Sequence, residues 1–230
     1  MKKIILAGGV IIIILVVALT IVNESITKPV VKTLGEYTVD ASDMLNGDAL
    51  VLGIEKSSLS EKEIAGLVQM REEEKLARDV YTTLGEKWGT QVFLNIASSE
   101  QTHTDAVKVL LDGYGIIDPV VDDKVGVFKS ADMKKLYDSF VTKGMQSLTD
   151  ALVVGATIED LDIRDLDVFM KETSKADILI TYTNLQKGSR NHMRGFIKNI
   201  QTRGGMYIPQ YITQGALDLI ISSSQERGRK

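Results

Sequence analysis

The chain has no cysteine, only three prolines, two histidines and a single tryptophan. Without cysteine there is no disulfide scaffold, no thiolate metal site and no thiol nucleophile. So little proline beside 44% apolar residues excludes a disordered chain. Positive charge is not in excess: 27 Lys and Arg stand against 31 Asp and Glu, giving a net charge of −4 and a pI near 5.3. That balance argues against a nucleic-acid partner, which requires a basic face. The sequence also lacks internal repeats, low-complexity tracts and a nucleotide-binding glycine loop.

What is present begins with a run of 19 residues without charge, Ile4 to Val22, preceded by Lys2 and Lys3 and followed by Asn23-Glu24. Such a run is long enough to cross a bilayer as a helix. It exceeds the apolar core of a signal peptide, and Ala18-Leu19-Thr20 is a weak cleavage site. We therefore read residues 1–24 as a transmembrane anchor, or a signal segment if it is cleaved. The two lysines hold the cytoplasmic side, so everything after Val22 is expected outside the cytoplasm, secreted if cleavage occurs. Residues 25–57 read as a spacer with a short strand around Val30-Val31. Some 205 residues remain beyond the anchor, roughly enough for one sizeable core.

Residues 58–225 are dominated by the 3.6-residue apolar period of amphipathic helices. Ser60-Glu-Lys-Glu63 is a capping box, and a helix is expected from Glu61 to about Lys87. A second runs from about Gln91 to Leu111, closed by Gly113 and Gly115. A shorter one covers Ala131 to Thr142. Another starts at Ser147 and ends near Leu161, followed by a separate short helix from Asp165 to Lys171. The last long helix begins at Ser174-Lys-Ala-Asp177 and ends near Arg203. An extended stretch, Met206 to Ile212, and a helix near Gln214–Ser222 complete the chain. Four long helices with such connections predict an all-α fold, an antiparallel four-helix bundle with extra short helices.

Each long helix has an apolar stripe broken by polar residues. They are Glu74 in the first, Glu100 and His103 in the second, Glu159 and Asp162 in the third, and Ser189 and His192 in the fourth. An isolated buried carboxylate loses its hydration at high cost. Several carboxylates and two imidazoles converging on one core make sense if a cation neutralises them. Oxygen and imidazole donors without sulfur suit Fe or Mn, with Zn as an alternative. Glu100-Gln-Thr-His103 sets a carboxylate and an imidazole one turn apart on one face, the element used by di-iron and di-manganese bundles. Plainer readings stand beside this one. Glu72-Glu73-Glu74 reads also as a solvated charge run, and periodicity leaves Glu73 and Glu74 open as the first ligand. Asp162 reads also as a surface group at a helix end, His192 as a core histidine, and Tyr81 as a core residue. Tyr81, one heptad beyond Glu74, is alternatively placed to hydrogen-bond a ligand carboxylate.

Glu74-Lys-Leu-Ala77-Arg-Asp-Val-Tyr81 is similar to the first-helix pattern of rubrerythrins and ferritins, and Glu100-Gln-Thr-His103 to their second-helix ligand pair. Glu159 falls where their third helix supplies a Glu. More closely, Met70 to Tyr81, Ala97 to His103, Gly188-Ser-Arg-Asn-His192 and Tyr207-Ile-Pro-Gln-Tyr211 resemble the ferritin-like family catalogued as domain of unknown function 2202, over residues 58–222. The resemblance implies a ferritin-like four-helix di-metal carboxylate fold and tips the first ligand to Glu74. One departure is that Ser189 stands where ferritins and rubrerythrins carry the Glu of a last-helix Glu-x-x-His.

The expectation is a membrane-tethered extracytoplasmic metalloprotein whose non-haem iron, two ions or one, reacts with oxygen or peroxide, an oxidase- or peroxidase-type oxidoreductase. Manganese or zinc are the alternative ions. Glu74, Glu100, His103, Glu159 and His192 would be ligands, Asp162 a sixth, and Tyr81 a hydrogen-bond partner of a ligand. A rubredoxin-like domain would need cysteines, so electrons would come from an external donor. The alternative is a structural, adhesive or metal-sequestering bundle without redox turnover. An anchored N-terminus disfavours a closed storage shell and leaves a homo-oligomer open.

Overall fold

In the computed structural model, residues 56–227 are described, and all regular secondary structure among them is helical. The helices are α1 (Glu61–Trp88), α2 (Gln91–Tyr114), α3 (Ala131–Gly144), α4 (Leu148–Lys171), α5 (Ala176–Thr202) and α6 (Gln214–Ser222). The expected anchor, the strand at Val30-Val31 and nearly all of the spacer lie outside the described residues. Among the described residues no helix is long and apolar enough to cross a membrane.

Local chemistry explains most boundaries. Ser60 and Glu63 form the reciprocal capping box that opens α1, and Gly89 closes it in the left-handed conformation. Helix α2 runs three residues past the expected Leu111, because Gly115 at φ +68° takes the left-handed cap and Gly113 stays helical. Ser147 caps α4 through the amide of Asp150. The expected break after Leu161 does not occur, and α4 continues to Lys171. Glu159-Asp-Leu-Asp162 reads locally as a helix end, but tertiary partners take up its carboxylates. Tyr81 donates to Glu159, Tyr207 to Asp160 and Ser189 to Asp162. Those bonds outweigh a weak local propensity. Helix α5 starts at Ala176 with Lys175 as its N-cap and no side-chain cap bond, rather than at Ser174.

Two apolar clusters fill the interior. Leu67, Met70, Val107, Leu110, Leu166, Ile178 and Leu185 belong to one. Tyr81, Leu84, Phe93, Ile96, Leu152 and Phe196 belong to the other. Helices α1 and α5 run from the first cluster to the second, and α2 and α4 run the opposite way. The packed pairs α1–α2, α4–α5, α2–α5 and α1–α4 are therefore all antiparallel. The long connection from α2 to α4 joins two helices that do not pack on each other and carries α3, which packs on α1 and α4. On each long helix the polar residues sit where the stripe passes from one cluster to the other. The fold thus encloses a polar layer between two apolar ones.

Candidate metal centre

Glu74, Glu100, His103, Glu159 and His192 meet in that layer, and none exposes more than 2% of its surface. Glu100 lies at the middle. Its Oε2 is 2.8 Å from His103 Nδ1, and its Oε1 is 2.8 Å from His192 Nδ1. Glu74 Oε2 approaches His103 Nδ1 at 3.2 Å, and Glu159 Oε2 approaches His192 Nδ1 at 3.5 Å. The two imidazoles stack with centroids 5.4 Å apart. Donor atoms of Glu74, Glu100 and His103 lie within 4.8 Å of one another, and so do those of Glu100, Glu159 and His192. Two triads share one carboxylate.

Neighbours fix these side chains. Tyr81 donates its hydroxyl to Glu159 Oε1 at 2.6 Å. His192 Nε2 lies 3.0 Å from Ser99 Oγ, a bond that leaves Nδ1 facing the carboxylates. Asp162 is buried beside the triads but belongs to neither, and it accepts a hydrogen bond from Ser189 Oγ. Gly188 lets the ring of His103 lie against the α5 backbone.

The donor set fits a metal. Glu74 Oε1 and His192 Nδ1 are buried and make no hydrogen bond of acceptable geometry. Stranding a buried polar atom costs about 1–3 kcal/mol. Of the four buried side-chain atoms left so among the described residues, these two belong to triad residues, where an ion would satisfy them, and the others are Glu73 Oε2 and Thr104 Oγ1. Among the described residues, no lysine or arginine pairs with Glu74, Glu100 or Glu159.

Burial raises Glu74 to about 8 against the opposing pull of His103, and burial raises Glu159 to about 7 against that of His192. For Glu100 burial pushes upward too, but His192 and His103 together hold it well below the usual carboxylate range. Burial would lower His192, yet Glu100 and Glu159 lift it to about 9, and His103 is raised in the same way by Glu100 and Glu74. Burial and the neighbouring Glu74 and Glu159 raise Asp162 well above its ordinary value. Without an ion the site therefore retains protons near neutral pH.

A narrow pocket reaches the cluster between α1, α3 and α4, with Met133 and Leu136 on its α3 side. Its free space is about 10 Å³, room for about one water.

The sequence stripes did not single out Ser99 or Gly188, while Glu73, which periodicity left open beside Glu74, is buried as well. A spacing signal did exist for Ser99, which precedes Glu100 and shares a helix with His103. Gly188 showed only as part of the last-helix motif.

Fold and site together define an all-helical protein whose core holds acidic and imidazole groups placed so that they could bind metal. Residues 63–224 match the family model described as "Uncharacterized protein domain (DUF2202)", and the chain belongs to that family. It is 54% identical over 178 residues to the uncharacterized protein MJ0754 of Methanocaldococcus jannaschii, covering 77% of this chain and 96% of that one. The crystal structure of the hypothetical protein MJ0754 from Methanococcus jannaschii superimposes with a TM-score of 0.75 at 55% identity, covering 76% of this chain and 99% of that chain.

Proposed function

We propose that the protein is a ferritin-like metalloprotein with a non-haem di-iron or di-manganese carboxylate site that reacts with oxygen or peroxide, held outside the cytoplasm by an N-terminal membrane anchor. The observation that carries this reading is the position of Glu100, whose two oxygens each lie 2.8 Å from a different imidazole. Glu74, Glu100 and His103 would hold one ion, and Glu100, Glu159 and His192 the other. The antiparallel helix order, with a long crossover between the second and third long helices, supports the ferritin-like assignment. Zinc is the alternative occupant of such an oxygen and nitrogen set. The anchor rests on the uncharged run from Ile4 to Val22 behind Lys2 and Lys3.

Bound iron or manganese supplies one-electron chemistry toward oxygen or peroxide. The chain's own residues prepare the setting. Tyr81 orients Glu159 by its hydroxyl, Ser99 orients His192, and the apolar layers on either side exclude bulk water. The retained protons of Glu74 and Glu159 leave as the carboxylates become ligands. Reducing equivalents come from another molecule, because the chain has no cysteine for an electron-transfer centre of its own.

Sequestration of metal without turnover is a second reading, favoured by Ser189, which binds Asp162 instead of supplying a carboxylate of its own. Anaerobic Fe(II) titration followed by oxygen or peroxide separates the two. Stoichiometric uptake with oxygen consumption and a near-ultraviolet band supports the oxidase or peroxidase reading. Uptake without consumption supports sequestration, and substoichiometric Fe, Mn and Zn after reconstitution defeats both.

A further inference from the structure

The pocket beside the triads holds more carboxylates than the triads use. Glu74, Glu100 and Glu159 line it as triad members, while Glu73 and Asp162 line it and belong to neither triad. Glu73 is 7% exposed, and its Oε1 accepts from Gln69 Nε2 at 2.8 Å. Its Oε2 is buried and accepts no hydrogen bond from an N–H or hydroxyl donor, and the nearest acidic neighbour of the Glu73 carboxyl is the carboxyl of Asp165. Asp162, 8% exposed, accepts a hydrogen bond at Oδ2 from the Ser189 hydroxyl. Asp165 lies within hydrogen-bonding reach of the Glu73 carboxyl and is also paired with Arg164 at 2.8 Å. Among the described residues no lysine or arginine pairs with Glu73 or Asp162.

A stranded carboxylate oxygen beside a second carboxylate, in a pocket with room for a single water-sized body, is a cation's environment. The donors are oxygen alone, unlike the mixed oxygen and nitrogen set of the triads, and they select a hard divalent ion. We propose that Glu73 and Asp162 form an outer site for a hard divalent cation, next to and distinct from the ions held by the triads. This inference rests on the triads' being metal ligands, since only then are Glu74, Glu100 and Glu159 already neutralised.

The test is anaerobic equilibrium dialysis of the metal-stripped full chain against Mn(II), comparing wild type with Glu73→Gln. Gln keeps the shape of Glu and removes a crowded charge, so circular dichroism should show the helices intact. The expected result is one Mn(II) fewer per chain in Glu73→Gln, with the remaining ions retained. Should that variant fail to fold, Asp162→Asn carries the same expectation. Equal Mn(II) in wild type and variant, with the wild type loaded, overturns the outer site alone. A wild-type chain that takes up neither Mn(II) nor Fe(II) overturns both this inference and the reading of the triads.

Discussion

A Cβ at position 188 would fall 2.5 Å from both Cε1 and Nε2 of His103, so the imidazole and the α5 backbone can meet only because residue 188 is glycine. Glycine inside a helix costs about 1 kcal/mol relative to alanine. Here that cost is offset by the close placement of the His103 ring. The ring cannot easily retreat, since His103 is buried and its Nδ1 is held between Glu74 and Glu100.

Gly188→Ala should therefore overpack the centre, at about 1–3 kcal/mol, more than it gains in helix propensity. The melting temperature should fall by a few degrees, at about 3 °C per kcal/mol, and metal affinity should fall with it. Gly195 on the same helix is the control, because its added Cβ meets nothing closer than 3.9 Å. Gly195→Ala should melt at or above the wild-type temperature and keep its metal. Thermal melts and metal analysis of the two variants check the contrast.

Glu100→Gln should empty both triads, because both share that side chain. It also leaves two buried imidazoles without their common counter-charge, and breaking a buried pair costs about 3–5 kcal/mol. Glu159→Gln removes a ligand from one triad only and should retain about half the metal, by the same ligand count. Metal analysis beside thermal melts distinguishes the variants. A Glu100→Gln protein with wild-type metal content and wild-type melting would count against the shared-carboxylate geometry.

The helices and the stripe of acidic and imidazole residues that converge in the core were legible because both depend on local spacing. Glu100 and His103 are one turn apart, and a capping box announces α1 whatever it later packs against. The surroundings of α1 were not legible, because a distant segment creates them. Glu72 reads as a solvated member of an acidic run, yet it accepts from the backbone amides of Lys129 and Ser130. Arg71 reaches Asp118 and the carbonyl of Thr104, Arg78 reaches Asp123, and Lys75 is fully buried against Asp79 and the carbonyl of Lys124. These charges are buried because the α2–α3 connection folds over them, and helical periodicity has no term for a covering loop. The choice between Glu73 and Glu74 was unresolved for a similar reason. Both are buried, and only the position of His103 separates them.

The metal-free protein should lose stability as pH rises from about 6 to 9. Glu74 and Glu159 have folded values of about 8 and about 7, above the ordinary carboxylate value of 4.5. Each contributes stability that is full below 4.5 and lost as pH climbs through its folded value. His192, raised from 6.5 to about 9, acts in the same direction, its contribution fading as pH rises through 9. Glu100 has the opposite sign, since its value is depressed, but its contribution is already complete above 4.5. Metal should remove the alkaline loss, because it takes the place of the retained protons. Melting curves across that range, with and without Mn(II), and proton release on metal addition in weak buffer, check both halves.

Asp160 neighbours Glu159 in sequence but points about a quarter-turn away around α4, where it is completely buried against the C-terminal segment. Its Oδ2 accepts from Tyr207 Oη at 2.8 Å and from the backbone amides of Gln210 and Tyr211 at 2.6 and 3.1 Å. Its Oδ1 accepts from the amide of Ile212 at 2.8 Å. One carboxylate thus pins the non-helical segment expected at Met206 to Ile212. An amide in its place can present an oxygen to only one of the two sides, so at least one backbone N–H would face an NH2 group. Asp160→Asn should cost about 1–3 kcal/mol for the stranded donor, and more through loss of the charge. The loss should be local: faster hydrogen exchange and easier proteolysis across residues 206–212, with metal content unchanged because Asp160 belongs to neither triad. Loss of metal in this variant would mean that the C-terminal segment holds α4 in register with the centre.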